Sequence, residues 1–227
     1  VTRIETLLAG PARPVDPDGP PLAMTGIAKT PLQGAHWLTR TGLAGDEQGD
    51  RLYHGGVEKA LHHYPAEHYP MWQPWGIGGV GENISTSGLT EPDVHIGDLY
   101  RAGETLLQVS QGRQPCWKLN LRMRRPDAAL QMQRSGRTGW YYRVLREGWL
   151  ESGMALELVD RPHPGWPLAR VIAALFAEGP VNAALAGEWR QLALLDALPE
   201  GWRNLFARRV ATGVVEDWSK RLTTPAA

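Results

Sequence analysis

Hydrophobic and polar positions along this chain follow two different rhythms. From residue 1 to about 160, short apolar runs alternate with polar residues at a spacing of two. In "HIGDLYRAGETLLQVSQ", Leu99 and Arg101 alternate with Tyr100 before a turn at Ala102-Gly103. Beyond it, Thr105, Leu107 and Val109 share one face, and Leu106 and Gln108 the other. Period two predicts strands of a sheet with one wetter side. "WYYRVLREGWLESGMALELVD" reads the same way: strand, Glu147-Gly148 turn, strand, Ser152-Gly153 turn, strand. Many short strands with glycine-rich turns predict a barrel or a sandwich. "LTRTGLAGDEQGDRLYHGGVEKA" reads as loop, and "PAEHYPMWQPW" as a short helix with Pro65 at its first turn.

After "RPHPGWP" the rhythm becomes helical. Leu168, Val171, Ile172 and Leu175 fall at i, i+3, i+4 and i+7, with Pro167 at the first turn and Gly179-Pro180 as the stop. A second helical run covers Val181 to Leu198, interrupted by Gly187, and a third starts at Pro199 with Trp202, Leu205, Phe206 and Val210 at helical spacing. The expected organisation is a mainly β domain over 1–162 and a small three-helix subdomain over 163–227, joined by a proline-rich linker at 161–167.

Composition narrows the function classes. The chain carries 24 Lys+Arg against 24 Asp+Glu, a balance that gives no pull toward nucleic acid or an anionic membrane. No stretch approaches the roughly 20 apolar residues of a membrane span. The N-terminal segment lacks signal-peptide architecture, so a cytoplasmic location is expected. Ten tryptophans against two phenylalanines point chiefly to core filling.

The chemistry centres on "SQGRQPCWKLN". Cys116 is the single cysteine, so no disulfide can form within the chain. Arg113 and Lys118 flank it, charge that favours a thiolate, and a thiolate at a strand end is a ligand for a thiophilic metal. A buried, inert cysteine is equally compatible with these residues. "GIGGVG" at Gly76–Gly81 has the letters of a dinucleotide fingerprint but neither the preceding strand nor the following helix, so direct NAD(P)H binding is not expected. His62, His63 and His68 with Cys116 are poorly spaced for zinc, since the adjacent pair points apart. His54-Gly55-Gly56 is either an ordinary loop histidine or a site where backbone N–H groups face an anion. Gly81-Glu82-Asn83 is either a substrate clamp or an Asx-type turn.

Taken in order, "GLAGDEQGDRLYHGGVEKALHHYPAEHYPMW", "GENISTSGLTEPDVHIGDLYRAGETLLQVSQGRQPCWKLN" and "GRTGWYYRV" resemble the YiiM-type branch of the MOSC family, named for the C-terminal domain of molybdenum cofactor sulfurases. The resemblance covers nearly the whole chain. Lys59 stands where the family often has Arg, His62 where a second cysteine can occur, and Trp117 where Tyr is common. The resemblance implies a MOSC-type β-barrel core and a pterin-based molybdenum cofactor, with Cys116 as the protein ligand to the metal. It implies reduction of N-hydroxylated compounds, such as hydroxylaminopurine-type bases and amidoximes, to the amine with release of water. His54 and Asn83 are then expected as proton or hydrogen-bond partners of substrate, His54 with a near-neutral pKa suited to proton donation. Lys59, Arg113, Gly55 and Gly56 are expected at the cofactor phosphate or pterin. A separate flavin or iron–sulfur reductase is expected to deliver electrons, and no pyridoxal phosphate is expected in this chain. The competing reading is a cofactor or sulfur carrier using a Cys116 persulfide. The C-terminal helices are expected to pack on each other and to supply no metal ligand.

Overall fold

The computed structural model describes residues 1–16, 23–50 and 54–225. Its fourteen strands are β1 (Thr2–Arg3), β2 (Thr6–Ala9), β3 (Arg13–Pro14), β4 (Met24–Thr25), β5 (Thr30–Pro31), β6 (His36–Thr39), β7 (Gly42–Leu43), β8 (Leu61–Pro65), β9 (Ile84–Thr86), β10 (Leu99–Ala102), β11 (Thr105–Gly112), β12 (Trp140–Arg146), β13 (Gly148–Leu150) and β14 (Ala155–Asp160). Nine of them form one sheet in the order β1-β14-β10-β11-β12-β8-β9-β2-β5. The period-two reading is visible in β11: Thr105, Leu107 and Val109 are buried, while Leu106 and Gln108 are only partly so.

The two ends of this sheet meet in one stretch of chain. Residues 2–9 pair with β14 through Thr2 and Arg3, and with β9 through Thr6 and Leu7. Between them, the Ile4 N–H donates to the Met154 carbonyl and the Glu5 N–H to the Ser85 carbonyl. The run therefore closes the sheet into a barrel. All pairings are antiparallel except β8 with β9, which is parallel.

The expected meander after Trp140 is broken. β13 leaves the barrel and pairs with β6, which pairs in turn with β7. The segment read as loop thus holds a hairpin: Leu38 is buried against Leu43 and Gly148, and the Glu147 carboxylate accepts the Arg40 N–H of the tight turn at 2.8 Å. Two helices that the rhythm had not signalled lie between β11 and β12: α1 (Lys118–Met123) and α2 (Ala128–Ser135). They are short, and their buried Leu119, Met123, Ala128, Ala129 and Met132 form a second apolar cluster with Tyr64, Tyr69 and Trp72.

The three C-terminal helices form close to where the rhythm puts them. They are α3 (Leu168–Leu175), α4 (Ala183–Leu194) and α5 (Glu200–Thr212). The Asn182 side chain caps α4 by accepting the Leu185 N–H at 2.9 Å, and Gly213 ends α5 in the left-handed region. Their apolar faces join the barrel's own cluster, with Leu168, Val171 and Ile172 packed alongside Val109 and Trp140. The helices and the barrel therefore share one core. The tail does not stay with the helices. After Gly213 the chain turns back to the barrel, where the short α6 (Ser219–Leu222) lies against the loop that carries Cys116. Trp72, Trp140 and Trp189 are fully buried, in keeping with tryptophan as core filler, while Trp37 and Trp149 stack edge-on at the surface.

Candidate functional site

Strand β11 runs out at Gly112, and the chain then crosses the barrel mouth through Arg113, Gln114, Pro115 and Cys116 before α1 begins. The Arg113 N–H still donates to the Gly139 carbonyl at 3.2 Å, and its guanidinium is buried and donates to the Val80 carbonyl. Pro115 offers no N–H, so the strand ladder cannot continue. The Cys116 carbonyl accepts the Leu119 N–H, which fixes the residue at the entry to α1. The thiol is half-buried, and its Sγ lies 3.7 Å from His54 Nε2.

Cys116 and His54 open onto a solvent-open cavity at the barrel mouth. Lys29, Asp46, Lys59, Asn83, Arg113, Lys118 and Tyr141 also line it, as do the 24–27 and 46–50 loops in part. These loops touch closely: a Cβ on Gly26 would sit 2.0 Å from the Glu47 carbonyl oxygen, so this position needs glycine for space. Lys118 reaches across to donate to the Met24 carbonyl at 2.9 Å.

A buried network supports the floor. The Asp46 carboxylate pairs with Lys29 and accepts the Gly10 N–H at 3.0 Å and the Asn83 amide at 2.9 Å. The Asn83 amide also donates to the Leu8 carbonyl at 3.1 Å, and its oxygen accepts the His62 N–H at 3.1 Å. Both amide hydrogens of Asn83 are thus committed to the protein, which leaves only spare acceptor capacity on the oxygen. Of the expected roles as a hydrogen-bond partner of substrate, this geometry leaves the acceptor role of that oxygen.

Charge at the cavity is lopsided around the thiol. Burial comes first in pulling the His54 pKa down to about 4, followed by the positive charges of Lys118, Arg221, Lys59 and Arg113. His54 is therefore a neutral imidazole at pH 7 and not a ready acid. This corrects the near-neutral proton donor expected from the sequence. The Lys59 pKa is lowered by burial and then by Arg221. That of Tyr141 is raised by burial, which keeps the phenol protonated.

The expected residues do not all converge. Cys116, His54, Asn83, Lys59 and Arg113 line one cavity. Gly55 and Gly56 do not line it; Gly56 is exposed and starts the 3-10 turn Val57–Lys59 with φ of 90°. Glu82 faces its own loop: its carboxylate accepts the Gly78 and Val80 N–H groups and the Tyr69 hydroxyl. Two backbone donors of "GIGGVG" are spent there, and the chain continues into β9 instead of a helix. The three histidines considered for zinc face separate partners. His62 lies against the Thr138 carbonyl, His63 against Thr86 and Tyr142, and His68 against Glu91. Among the described residues no three metal-ligating side chains cluster, and no helix is long and apolar enough to cross a membrane. Residues 51–53 of the "DRLYHGG" motif lie outside the described residues. Lys29, Asp46 and Tyr141 were invisible to the sequence reading. The one available hint was a lysine in the apolar surroundings of "GIAKTPL", which asks for a buried partner.

A closed barrel with its thiol loop at the mouth, followed by a helical triplet, defines a MOSC domain with a C-terminal helical extension, and the chain belongs to that family. The MOSC domain model matches residues 50–157, and the YiiM-like 3-alpha helix domain model matches 166–213. The chain is 38% identical over 214 residues to Protein YiiM of Escherichia coli (strain K12), covering 91% of this chain and 92% of that protein. The crystal structure of YiiM from Escherichia coli superposes with a TM-score of 0.77 at 35% identity, covering 89% of this chain and 96% of that one. A protein of Gibberella moniliformis (strain M3125 / FGSC 7600) named "Reductase" is 37% identical over 179 residues, which span 75% of this chain and 32% of that protein. MOSC domains as a family bind the molybdenum cofactor.

Proposed function

We propose that this protein holds a molybdenum–pterin cofactor in the Cys116 cavity and uses it to reduce N-hydroxylated compounds to amines, releasing water. The observation that carries the reading is the single thiol, 3.7 Å from the His54 imidazole, at the wall of a cavity that Lys59, Arg113 and Lys118 also line. The donor set fits the group. A soft sulfur is presented alone, and positive charge gathers where an anionic, phosphate-bearing ligand would offset it. When bound, the group supplies two-electron redox chemistry and the capacity to accept an oxygen atom.

The chain's own residues then divide the work. Cys116 Sγ is the protein ligand, and Lys59, Lys118 and Arg113 hold the anionic parts. His54, whose Nε2 lies 3.7 Å from that sulfur, would hydrogen-bond the N-hydroxyl group and relay solvent protons toward it. Asn83 acts by position: it holds the cavity floor between Leu8, His62 and Asp46. The overall reaction consumes two electrons and two protons per N–O bond broken, and a separate flavin or iron–sulfur reductase supplies the electrons. The fungal relative named as a reductase supports a reductive role.

Protein made in a cofactor-competent host should contain close to one molybdenum per chain, together with pterin seen by fluorescence after oxidation. Cys116→Ser exchanges a soft thiolate for a hard hydroxyl with little change in shape. It should keep the fold by circular dichroism and lose turnover of an N-hydroxylated base with a dye as electron donor. Folded Cys116→Ser protein with full turnover overturns the reading. A metal-free protein carrying a persulfide on Cys116 would point instead to sulfur transfer.

A further inference from the structure

The segment after Gly213 lies beyond both matched domain models, yet it makes the contacts that hold the thiol loop. Its near end is locked into the helices. Arg209, fully buried, donates from Nε to Glu216 at 2.8 Å and from a terminal nitrogen to the Ala174 carbonyl at 3.1 Å. Trp218 then stacks edge-on against Phe176 with ring centres 5.5 Å apart. The far end grips the loop. The Arg221 guanidinium donates to the Pro115 carbonyl at 2.9 Å and to the Gln114 carbonyl at 2.8 Å. In return the Trp117 N–H donates to the Arg221 carbonyl at 2.7 Å, and the Asn120 amide to the Leu222 carbonyl at 2.8 Å. Residues on both sides of Cys116 are therefore held by one four-residue helix, and the thiol itself is left to face the cavity.

We propose that Arg221 is a positioning residue for Cys116, and that residues 214–225 are a strap through which the helical domain fixes the orientation of the working sulfur. Arg221 does not line the cavity: its charge also reaches His54, and its hydrogen bonds act on the loop. Only a guanidinium can do this. Two successive carbonyls, Gln114 and Pro115, point at one side chain, and its planar fork of N–H groups meets both at once. Pro115 makes the grip necessary, because the loop has lost the N–H that could have tied it to a neighbouring strand. The proposal takes from the functional reading only that Cys116 is the working sulfur.

Hydrogen–deuterium exchange of the full chain without metal reads the device directly. Arg221→Ala should speed exchange across residues 113–120 by about tenfold or more, the effect of releasing two charge-assisted hydrogen bonds. Exchange in β8, β12 and α5 should stay at wild-type rates. Arg221→Lys keeps the charge and loses the fork, so it should restore only a minor part of the protection. In protein loaded with cofactor, Arg221→Ala should lower kcat and leave KM for the N-hydroxylated substrate unchanged. Unchanged exchange at 113–120 in Arg221→Ala, acceleration spread evenly over the barrel, or full rescue by Arg221→Lys would each overturn the proposal. The functional reading fails separately, through active Cys116→Ser protein, and that outcome leaves the exchange result as it stands.

Discussion

Removing the Asp46 carboxylate should unbalance the floor of the cavity. The side chains of Lys29 and Asp46 are 5% and 2% exposed, so their pairing is a buried one. Asp46→Ala strands the Lys29 ammonium away from water. Breaking a buried pair from one side costs about 3–5 kcal/mol. The same change orphans the Gly10 N–H and one Asn83 hydrogen, each worth about 1 kcal/mol, although relaxation and entering water return part of this. We expect a loss of about 4 kcal/mol, a large share of the 5–15 kcal/mol of a typical domain. Lys29→Met should cost less, about 2 kcal/mol, because the carboxylate keeps its bonds to Gly10 and Asn83. The double variant Lys29→Met/Asp46→Leu should be milder than Asp46→Ala alone, since no charge is left buried without a partner. Urea unfolding followed by tryptophan fluorescence measures all three. If Asp46→Ala costs under about 1 kcal/mol, or if the double variant is the worst of the three, the pair is not the buried strut described here.

Three further outcomes follow. His54→Ala should keep the fold and reduce turnover by about ten- to ten-thousand-fold, the span of a lost acid–base group, with molybdenum content near that of wild type. Stability should fall in acid. The folded pKa values of His54 (about 4) and His63 (about 3), both lowered mainly by burial, lie below 6.5, and His62 is shifted the same way. The unfolded chain therefore takes up protons that the folded chain refuses, so this stability is complete above pH 6.5 and drains as pH falls toward 4. Buried Glu82 has its pKa raised and offsets part of this trend; His54 and His63 alone correspond to a loss of roughly 2–3 kcal/mol per pH unit near pH 5. A flat urea midpoint from pH 7 to 4.5 would refute this. Finally, Gly139 has φ of 64°, and a Cβ there would lie 2.1 Å from the His63 carbonyl oxygen, so Gly139→Ala should cost at least about 2 kcal/mol by thermal or urea melting.

Much of the architecture was readable because it is written in local rhythm. β11 and its turn, the three C-terminal helices, and the thiol after Pro115 all depend on neighbours a few residues apart. What was not readable depends on distant pairing. Lys29 and Asp46 lie in two loop-like segments 17 residues apart, and nothing in either segment names the other. The hairpin of β6 and β7 was hidden because Leu38 and Leu43 are too few apolar positions to show a period. α1 and α2 are short and interrupted by "RRPD", which breaks any helical face. The tail offers only "SKRL" as its helix, and its partners, two backbone carbonyls more than a hundred residues earlier, leave no trace in side-chain pattern. The proton affinity of His54 was misjudged for the same reason. Arg221 and Lys118, which help to set it, come from elsewhere in the chain.

Closure of the barrel by residues 2–9 has a consequence for how the chain is made. Strand β1 finds its partner β14 only after some 150 further residues have emerged, as the Arg3 contact to the Gly153 carbonyl shows. Until then β1 and β10, which β14 joins, have open backbone edges, and the ring cannot be complete. A connection of this span is slow to form, since the entropy of joining distant segments must be overcome before any contact rewards it. Final closure is thus a late event in synthesis, and an N-terminal strand held back by a fused tag or a stalled chain would leave a sheet with two sticky ends.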